Sequence, residues 1–405
     1  MPVIKTIEPA TSTSLSFANV ETSTATAIPA ITRARPTATL LRAEESALPD
    51  PSPAPPTPTA VPTATPNGEP VFIGADDPRI RYTGRFDSSD ASRPVFDWSG
   101  TTIEMAFSGT SLTVLLEDDQ NLYNVSVDGQ SEVLEPSAGQ MVYLVAEDLP
   151  DGSHVARITK RTEAYVGKGA FSGLILDSGH DLQALPPAAE RHIEFVGDSI
   201  TNGYGNEGDS PYCWFTPETE NVELAYAAQT ARYFGADYNV VALSGLGVLR
   251  NLRDTETGSP QTAIDIVDRA LAMNADLFWD SPEPGPDAVV VNLGTNDYSS
   301  RPYPDTEAFV TAYVNLLEQI RQRYPETYIF AMAGPLMFGP APEAIRTAVE
   351  RQRDAGHDER VHYVLIENTL EEADGDFGCD WHPSEQGHRE ISEQLVPEMA
   401  AVLGW

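Results

Sequence analysis

The sequence predicts a β-sandwich followed by an α/β unit on a five-stranded parallel sheet, and three observations carry that expectation. Between residues 71 and 185 the apolar residues alternate with period two and are punctuated by Gly or Asp-Gly. After His192 the period changes, and short apolar runs are separated by segments of helical period. That strand-then-helix order repeats five times, the pattern of a parallel sheet covered on both faces.

Taken in chain order, the first element is not a fold at all. Thr, Pro, Ala and Ser fill 44 of the first 70 positions, so too few large apolar side chains remain to offset ordering entropy. Residues 1–70 therefore read as a disordered tail or linker. Tethers of this kind are common outside cells, which makes an extracellular or cell-envelope location the expectation. The N-terminus nonetheless lacks a readable secretory signal, a basic segment followed by about 7–15 apolar residues.

Residues 71–187 form the expected sandwich, with strands at 102–107, 111–117, 122–127, 141–146, 154–159 and 171–176. Asp128-Gly129 follows the alternating Tyr123, Val125 and Val127 and suits a two-residue hairpin turn. Residues 188–405 form the expected α/β unit. Its strands are read at 193–196, 238–243, 288–293, 328–333 and 361–366, and its helices at 223–234, 262–273, 306–324, 342–354 and 384–403.

Charge narrows the partners. The net charge of −36 opposes nucleic acid and anionic membrane surfaces, and favours a neutral or cationic partner. No apolar run approaches the roughly 20 residues of a membrane-spanning helix. The seven His are scattered and no H-E-x-x-H occurs, so neither a metal nor another cofactor is expected.

In a parallel sheet, function gathers at the carboxyl ends of the strands. The first strand ends in Gly197-Asp198-Ser199, where Ser199 is either a nucleophile beside helix-end amides or a helix cap. Thr201 breaks the G-x-S-x-G pattern, which disfavours an α/β-hydrolase. The second strand ends in Ser244-Gly245-Leu246-Gly247, a turn open to close approach by a ligand. The third ends in Gly294-Thr295-Asn296-Asp297, where the Asn296 amide can donate to a developing oxyanion or make an Asx turn. Near the C-terminus, Cys379-Asp380-Trp381-His382-Pro383 supplies His382 as a general base active near neutral pH. The ordered set Ser, Gly, Asn, His, each beyond a strand end, suits one cleft of a serine esterase.

Through Ser199, Gly245, Asn296 and His382 the chain resembles the SGNH (GDSL-type) hydrolases, with Gly247 the weaker candidate for the second block. Gly203 to Gly208, Cys213, Thr216 to Asn221, Ser244 to Val248 and Cys379 to Pro383 resemble carbohydrate esterase family two, as do Asp77 to Arg85, Phe96 to Thr101 and Phe171 to Leu174. The resemblance covers roughly residues 71–405. It implies a flavodoxin-like three-layer SGNH domain preceded by a jelly-roll-like sandwich. It also implies removal of O-acetyl groups from polysaccharides such as xylan and glucomannan. Ser199 would be the nucleophile and His382 the base, with the Ser199 and Gly245 amides and the Asn296 side chain holding the oxyanion.

Several questions stay open in the sequence. The superfamily usually carries Asp three residues before its His, where this chain has Cys379; Asp380 lies two before. Some members of the esterase family orient the His with a backbone carbonyl instead, so a triad through Asp380 and a dyad are both open. The two cysteines, Cys213 and Cys379, are either bridged or free. Trp381, Tyr204 and Trp214 are the aromatic candidates for stacking on a sugar ring, with Tyr212 and Tyr298 also near the motifs. An SGNH lipase or thioesterase and a silent carbohydrate-binding protein are the competing readings.

Overall fold

The computed structural model describes residues 68–118, 120–254, 257–280 and 284–405, and the expectation for the N-terminal tail falls almost wholly outside them. The described residues belong to one compact unit, Ala64–Trp405.

Its first part is a sandwich of two antiparallel sheets, of five and six strands. One sheet runs Val71–Gly74, Gly169–Leu176, Leu112–Glu117, Val142–Ala146, with Val95–Phe96 attached to Gly169–Leu176. The other runs Leu182–Gln183, Thr102–Gly109, Gly152–Lys160, Tyr123–Val127, Gln130–Leu134, with Arg81–Thr83 paired to Thr102–Gly109. Alternate residues such as Ile103, Met105 and Phe107 face Val114, Leu116 and Leu174 in the shared core. The Asp128-Gly129 turn forms as expected: both residues have positive φ, 50° and 80°, and they join paired strands.

The second part is a parallel sheet in the order second, first, third, fourth, fifth strand: Asp237–Ala242, His192–Gly197, Ala288–Asn292, Tyr328–Ala333, Val361–Leu365. Alternation along the buried strands feeds two cores. Val196, Val241 and Val291 pack against helices Thr306–Arg323 and Ala341–Gly356. Phe195, Val240 and Val290 pack against Tyr226–Phe234 and Glu385–Leu403. The first strand lies where the strand order reverses, and Ser199 follows it directly, at the position where such sheets hold ligands.

One expected helix is largely absent. Of residues 262–273 only Ala263–Ile266 is helical. The carbonyls that would continue it are taken by the sandwich: Arg85 Nη1 donates to Val267 O (2.6 Å) and Arg269 O (2.9 Å), and Trp98 Nε1 donates to Ala270 O (3.1 Å). Asp97 accepts from the Ala272 and Met273 amides at 2.9 and 3.1 Å. Tertiary partners thus override a local helical pattern.

Arg85 also donates to both Glu194 carboxylate oxygens at 3.1 Å, with both side chains essentially inaccessible. Glu194 lies in the first parallel strand, and Tyr324 donates to it as well. Truncating the guanidinium strands a buried carboxylate, so Arg85→Ala is expected to cost about 3–5 kcal/mol in urea unfolding. A cost below ~1 kcal/mol would show that this ion pair does not hold the seam.

Candidate functional site

The first parallel strand ends at Gly197, and Asp198 then caps a single helical turn, Ser199–Asn202, by accepting from the Ile200 amide at 3.1 Å. Ser199 is the first residue of that turn, so its own N–H has no intrahelical acceptor. In the neighbouring strand, Ala242 pairs with Gly197, and the turn that follows it places Gly245 at φ 78°, a conformation that disfavours a side chain. The Gly245 N–H meets no protein acceptor among the described residues. Gly247, by contrast, donates to Asn251 Oδ1 at 2.9 Å, and a Cβ there would strike Arg250 O at 2.0 Å. Close backbone packing, not a ligand, explains that second glycine.

His382 comes from the loop before the last helix and reaches Ser199 from 183 residues away. Its Nε2 lies 2.8 Å from Ser199 Oγ and its Nδ1 lies 3.2 Å from the Asp380 carbonyl oxygen. A carbonyl can only accept, so it fixes the proton on Nδ1 and leaves Nε2 as the acceptor for the serine hydroxyl. Burial disfavours the imidazolium and pushes the His382 pKa down to about 4; the Asp380 carbonyl and charge offset this only in part.

Of the two arrangements the sequence leaves open, a triad through Asp380 and a dyad, the geometry has the Asp380 side chain turned away from His382. Its carboxylate accepts from the Phe215 amide (3.0 Å) and the Tyr204 hydroxyl (3.2 Å), and no hydrogen bond joins it to the imidazole. Asp380 and Trp381 both have positive φ, 52° and 61°, and this turn presents the Asp380 carbonyl, not its side chain, to His382. Tyr204 likewise has a different place from the one expected. Its ring lies between Phe215 (centroids 4.1 Å apart) and His382 (4.3 Å), packing the imidazole rather than offering a free face to a sugar.

Asn296 sits behind Ser199. Its Nδ2 donates to Asp198 Oδ2 (3.0 Å) and Leu246 O (2.9 Å), so both amide hydrogens already have protein acceptors. The three candidate oxyanion donors are therefore unequal: among the described residues the Ser199 and Gly245 amides have no protein acceptor, whereas Asn296 holds the first two loops together. Of the remaining aromatics, Tyr298 is core, while Trp381, Tyr212 and Trp214 are 46%, 68% and 82% exposed. Trp381 and Tyr212 meet edge to face at 5.4 Å.

Cys213 and Cys379 are bridged. The bridge ties the loop after Ser199 to the His382 loop, and main-chain bonds reinforce it: Cys379 N to Gly205 O (2.9 Å) and Asp380 N to Cys213 O (3.0 Å). Gly208 makes room for it, since a Cβ there would lie 2.4 Å from Cys379 Sγ. Among the described residues no His, Cys, Asp and Glu cluster suits a metal ion, and no helix is long and apolar enough to cross a membrane.

Comparison with known proteins places this geometry in context. Residues 82–186 match the carbohydrate esterase 2 N-terminal family model, and residues 195–390 match the GDSL-like lipase/acylhydrolase family. An acetylxylan esterase / glucomannan deacetylase of Cellvibrio japonicus is 31% identical over 334 residues, covering 78% of this chain and 89% of the relative. The cellulase/esterase CelE of Acetivibrio thermocellus is 38% identical over 336 residues, covering 82% of this chain; the chain spans 40% of that relative's length. A family two carbohydrate esterase from Clostridium thermocellum, solved in complex with cellohexaose, superposes with a TM-score of 0.74 at 36% identity, covering 80% of this chain and 99% of that one.

Two measurements check the site. Intact mass should rise by about two daltons on reduction, the mass of two hydrogens added to one bridge; an unchanged mass would show free thiols. In an NMR titration, the imidazole signal lost in His382→Ala should have its midpoint near 4, so that the ring is neutral and able to accept a proton above that pH. A midpoint near the ordinary His value of about 6.5 would contradict the buried, carbonyl-held ring.

Proposed function

The chain belongs to carbohydrate esterase family two, and from that premise we propose that it is a serine esterase removing O-acetyl groups from plant-wall polysaccharides such as xylan and glucomannan. The observation that carries the reaction type is the relay Ser199 Oγ, His382 Nε2, His382 Nδ1, Asp380 O, at 2.8 and 3.2 Å. Ser199 Oγ attacks the acetyl carbonyl carbon as its proton passes to His382 Nε2. The carbonyl oxygen becomes an oxyanion facing the Ser199 and Gly245 amides. Each such donor typically contributes about 10²–10³ in turnover.

As the tetrahedral intermediate collapses, the C–O bond to the sugar breaks and the imidazolium returns its proton to the departing sugar oxygen. A water then attacks the acetyl-serine while His382 takes its proton, and acetate leaves with Ser199 restored. The Asp380 carbonyl keeps Nδ1–H in place throughout. This device is a dyad braced by the backbone, and the Asp380 carboxylate acts on the loop, through Phe215 and Tyr204.

The substrate class rests on the relatives' activities and on the exposed aromatic faces of Trp381, Tyr212 and Trp214 beside the site, amphipathic surfaces suited to pyranose rings. A neutral polysaccharide also suits the net charge of −36 better than a polyuronate. An extracellular or cell-envelope location accords with the Cys213–Cys379 bridge, since disulfides persist in oxidising surroundings.

The test is a chromogenic acetate ester assay. Ser199→Ala should abolish turnover, and Asp380→Asn, which keeps an oxygen acceptor for Phe215 and Tyr204, should lose less than about tenfold; a loss near 10⁴ would restore an acidic triad. Along an ester series from acetyl to octanoyl, activity should fall. A preference for octanoyl would move the protein to the lipases, and equal activity in Ser199→Ala would end the esterase reading.

A further inference from the structure

The Lys160–Gly169 loop joins two sandwich strands, yet it carries Glu163 into the rear of the candidate site. Glu163 is buried, 3% exposed. A single oxygen, Oε2, accepts from the Ser244 backbone N–H at 2.8 Å and from Asn202 Nδ2 at 3.3 Å. Ser244 immediately precedes Gly245, and Asn202 ends the helical turn that Ser199 begins. One carboxylate oxygen therefore ties together the two backbone segments that bear the free amides.

The anchor is itself held. The Glu163 N–H donates to Glu220 Oε2 at 2.8 Å, and Lys160 Nζ donates to the Glu163 and Thr162 carbonyls at 3.1 and 2.6 Å. From the same module, Ser99 Oγ donates to Asn202 Oδ1 at 2.7 Å, fixing the orientation in which Asn202 Nδ2 faces Glu163. The Ser244 turn has a second reason to need such a tie: with Gly245 in the left-handed region, the direction of its N–H depends on the peptide planes on either side.

We propose that Glu163, supplied by the sandwich module, is a positioning residue for the oxyanion pocket, setting the separation and direction of the Ser199 and Gly245 amides. The inference rests on the reading of Ser199 as a nucleophile, but not on the acetyl group or on the polysaccharide. Removing the carboxylate leaves Ser199, His382 and the Asp380 carbonyl untouched while freeing the two amide-bearing segments from each other. Misplacing such groups by about 1 Å can cost about 10²-fold in rate.

The test uses a small fluorophosphonate probe, which Ser199 Oγ attacks at phosphorus with loss of fluoride, so that reactivity reads the nucleophile and the pocket whatever the natural ester is. Wild type, Glu163→Ala and Glu163→Gln are compared at saturating probe, with thermal midpoints measured alongside. The Ala variant should label about 10²-fold more slowly with probe affinity within threefold of wild type. The Gln variant, which keeps an oxygen acceptor, should recover to within about tenfold of wild type. A folded Ala variant that labels at the wild-type rate, or one that changes only its thermal midpoint, overturns the inference.

Should Glu163→Ala not fold, Glu163→Asp decides: it keeps the carboxyl group but withdraws it by one methylene, so labelling should slow at least about tenfold, and wild-type labelling would overturn the inference. Chromogenic acetate turnover is run in parallel. A wild type that labels at Ser199 but hydrolyses no acetate would fail the deacetylase reading while the labelling comparison still judges Glu163.

Discussion

The 2.8 Å contact between Ser199 Oγ and His382 Nε2 is the constraint on which the rest of the site depends. It joins groups 183 residues apart, from opposite ends of the parallel-sheet unit. The serine side is rigid by construction, because it sits on a one-turn helix at the end of a central, buried strand. The histidine side is a loop and needs other means. Gly378 N–H donates to His382 O at 2.8 Å, the Cys379 amide reaches Gly205 O, and the disulfide fixes the loop to the segment after Ser199. The Asp380 carboxylate closes the arrangement by accepting from Phe215 and Tyr204, whose rings stack and whose second member lies on the imidazole. The placement of the imidazole is thus distributed over a covalent bridge, hydrogen bonds and ring packing.

A second consequence concerns the sandwich. Its contacts with the α/β part join apolar packing of Trp98 and Ala164 to a set of polar ones: Arg85 on Glu194, Trp98 on Ala270 O, Asp97 on two amides, Arg161 on Glu218 O and Glu220 O, Glu163 on Ser244. Groups of this kind are costly to expose one at a time, because each leaves a buried partner unsatisfied. Burial holds the Lys160 ammonium below its usual pKa, opposed by the carboxylates of Asp97, Asp118, Glu220 and Glu163. The sandwich is accordingly a structural support of the α/β unit and of the loops around Ser199.

These facts also explain what could be read in the chain beforehand. Periodicity located the five parallel strands to within a residue or so, since each is a buried apolar run, and the ordered Ser, Gly, Asn and His beyond strand ends pointed to one cleft. Periodicity misplaced the 262–273 helix, because the partners that unravel it, Arg85, Trp98 and Asp97, lie about 170–180 residues away. The role of Asp380 depended on two consecutive positive φ values at non-glycine residues, which no residue type announces. The sequence offers Tyr204 as a ring for sugar stacking, but the neighbours that make it a packing element, Phe215 and His382, are tertiary. Nothing in the sequence alone marks Glu163 as a site residue. Its one faint signal was a carboxylate in a loop rich in charged residues just after a sandwich strand, which reads equally well as solvated surface.

Acyl transfer in this site passes through Ser199. Rapid mixing with a chromogenic acetate ester, acid quenching within the burst and peptide mapping by mass spectrometry test it directly. An acetyl adduct on the peptide containing Ser199 should form with the burst and decay as turnover proceeds. A burst with no adduct on that peptide, or an adduct that forms elsewhere and is competent to turn over, would contradict it.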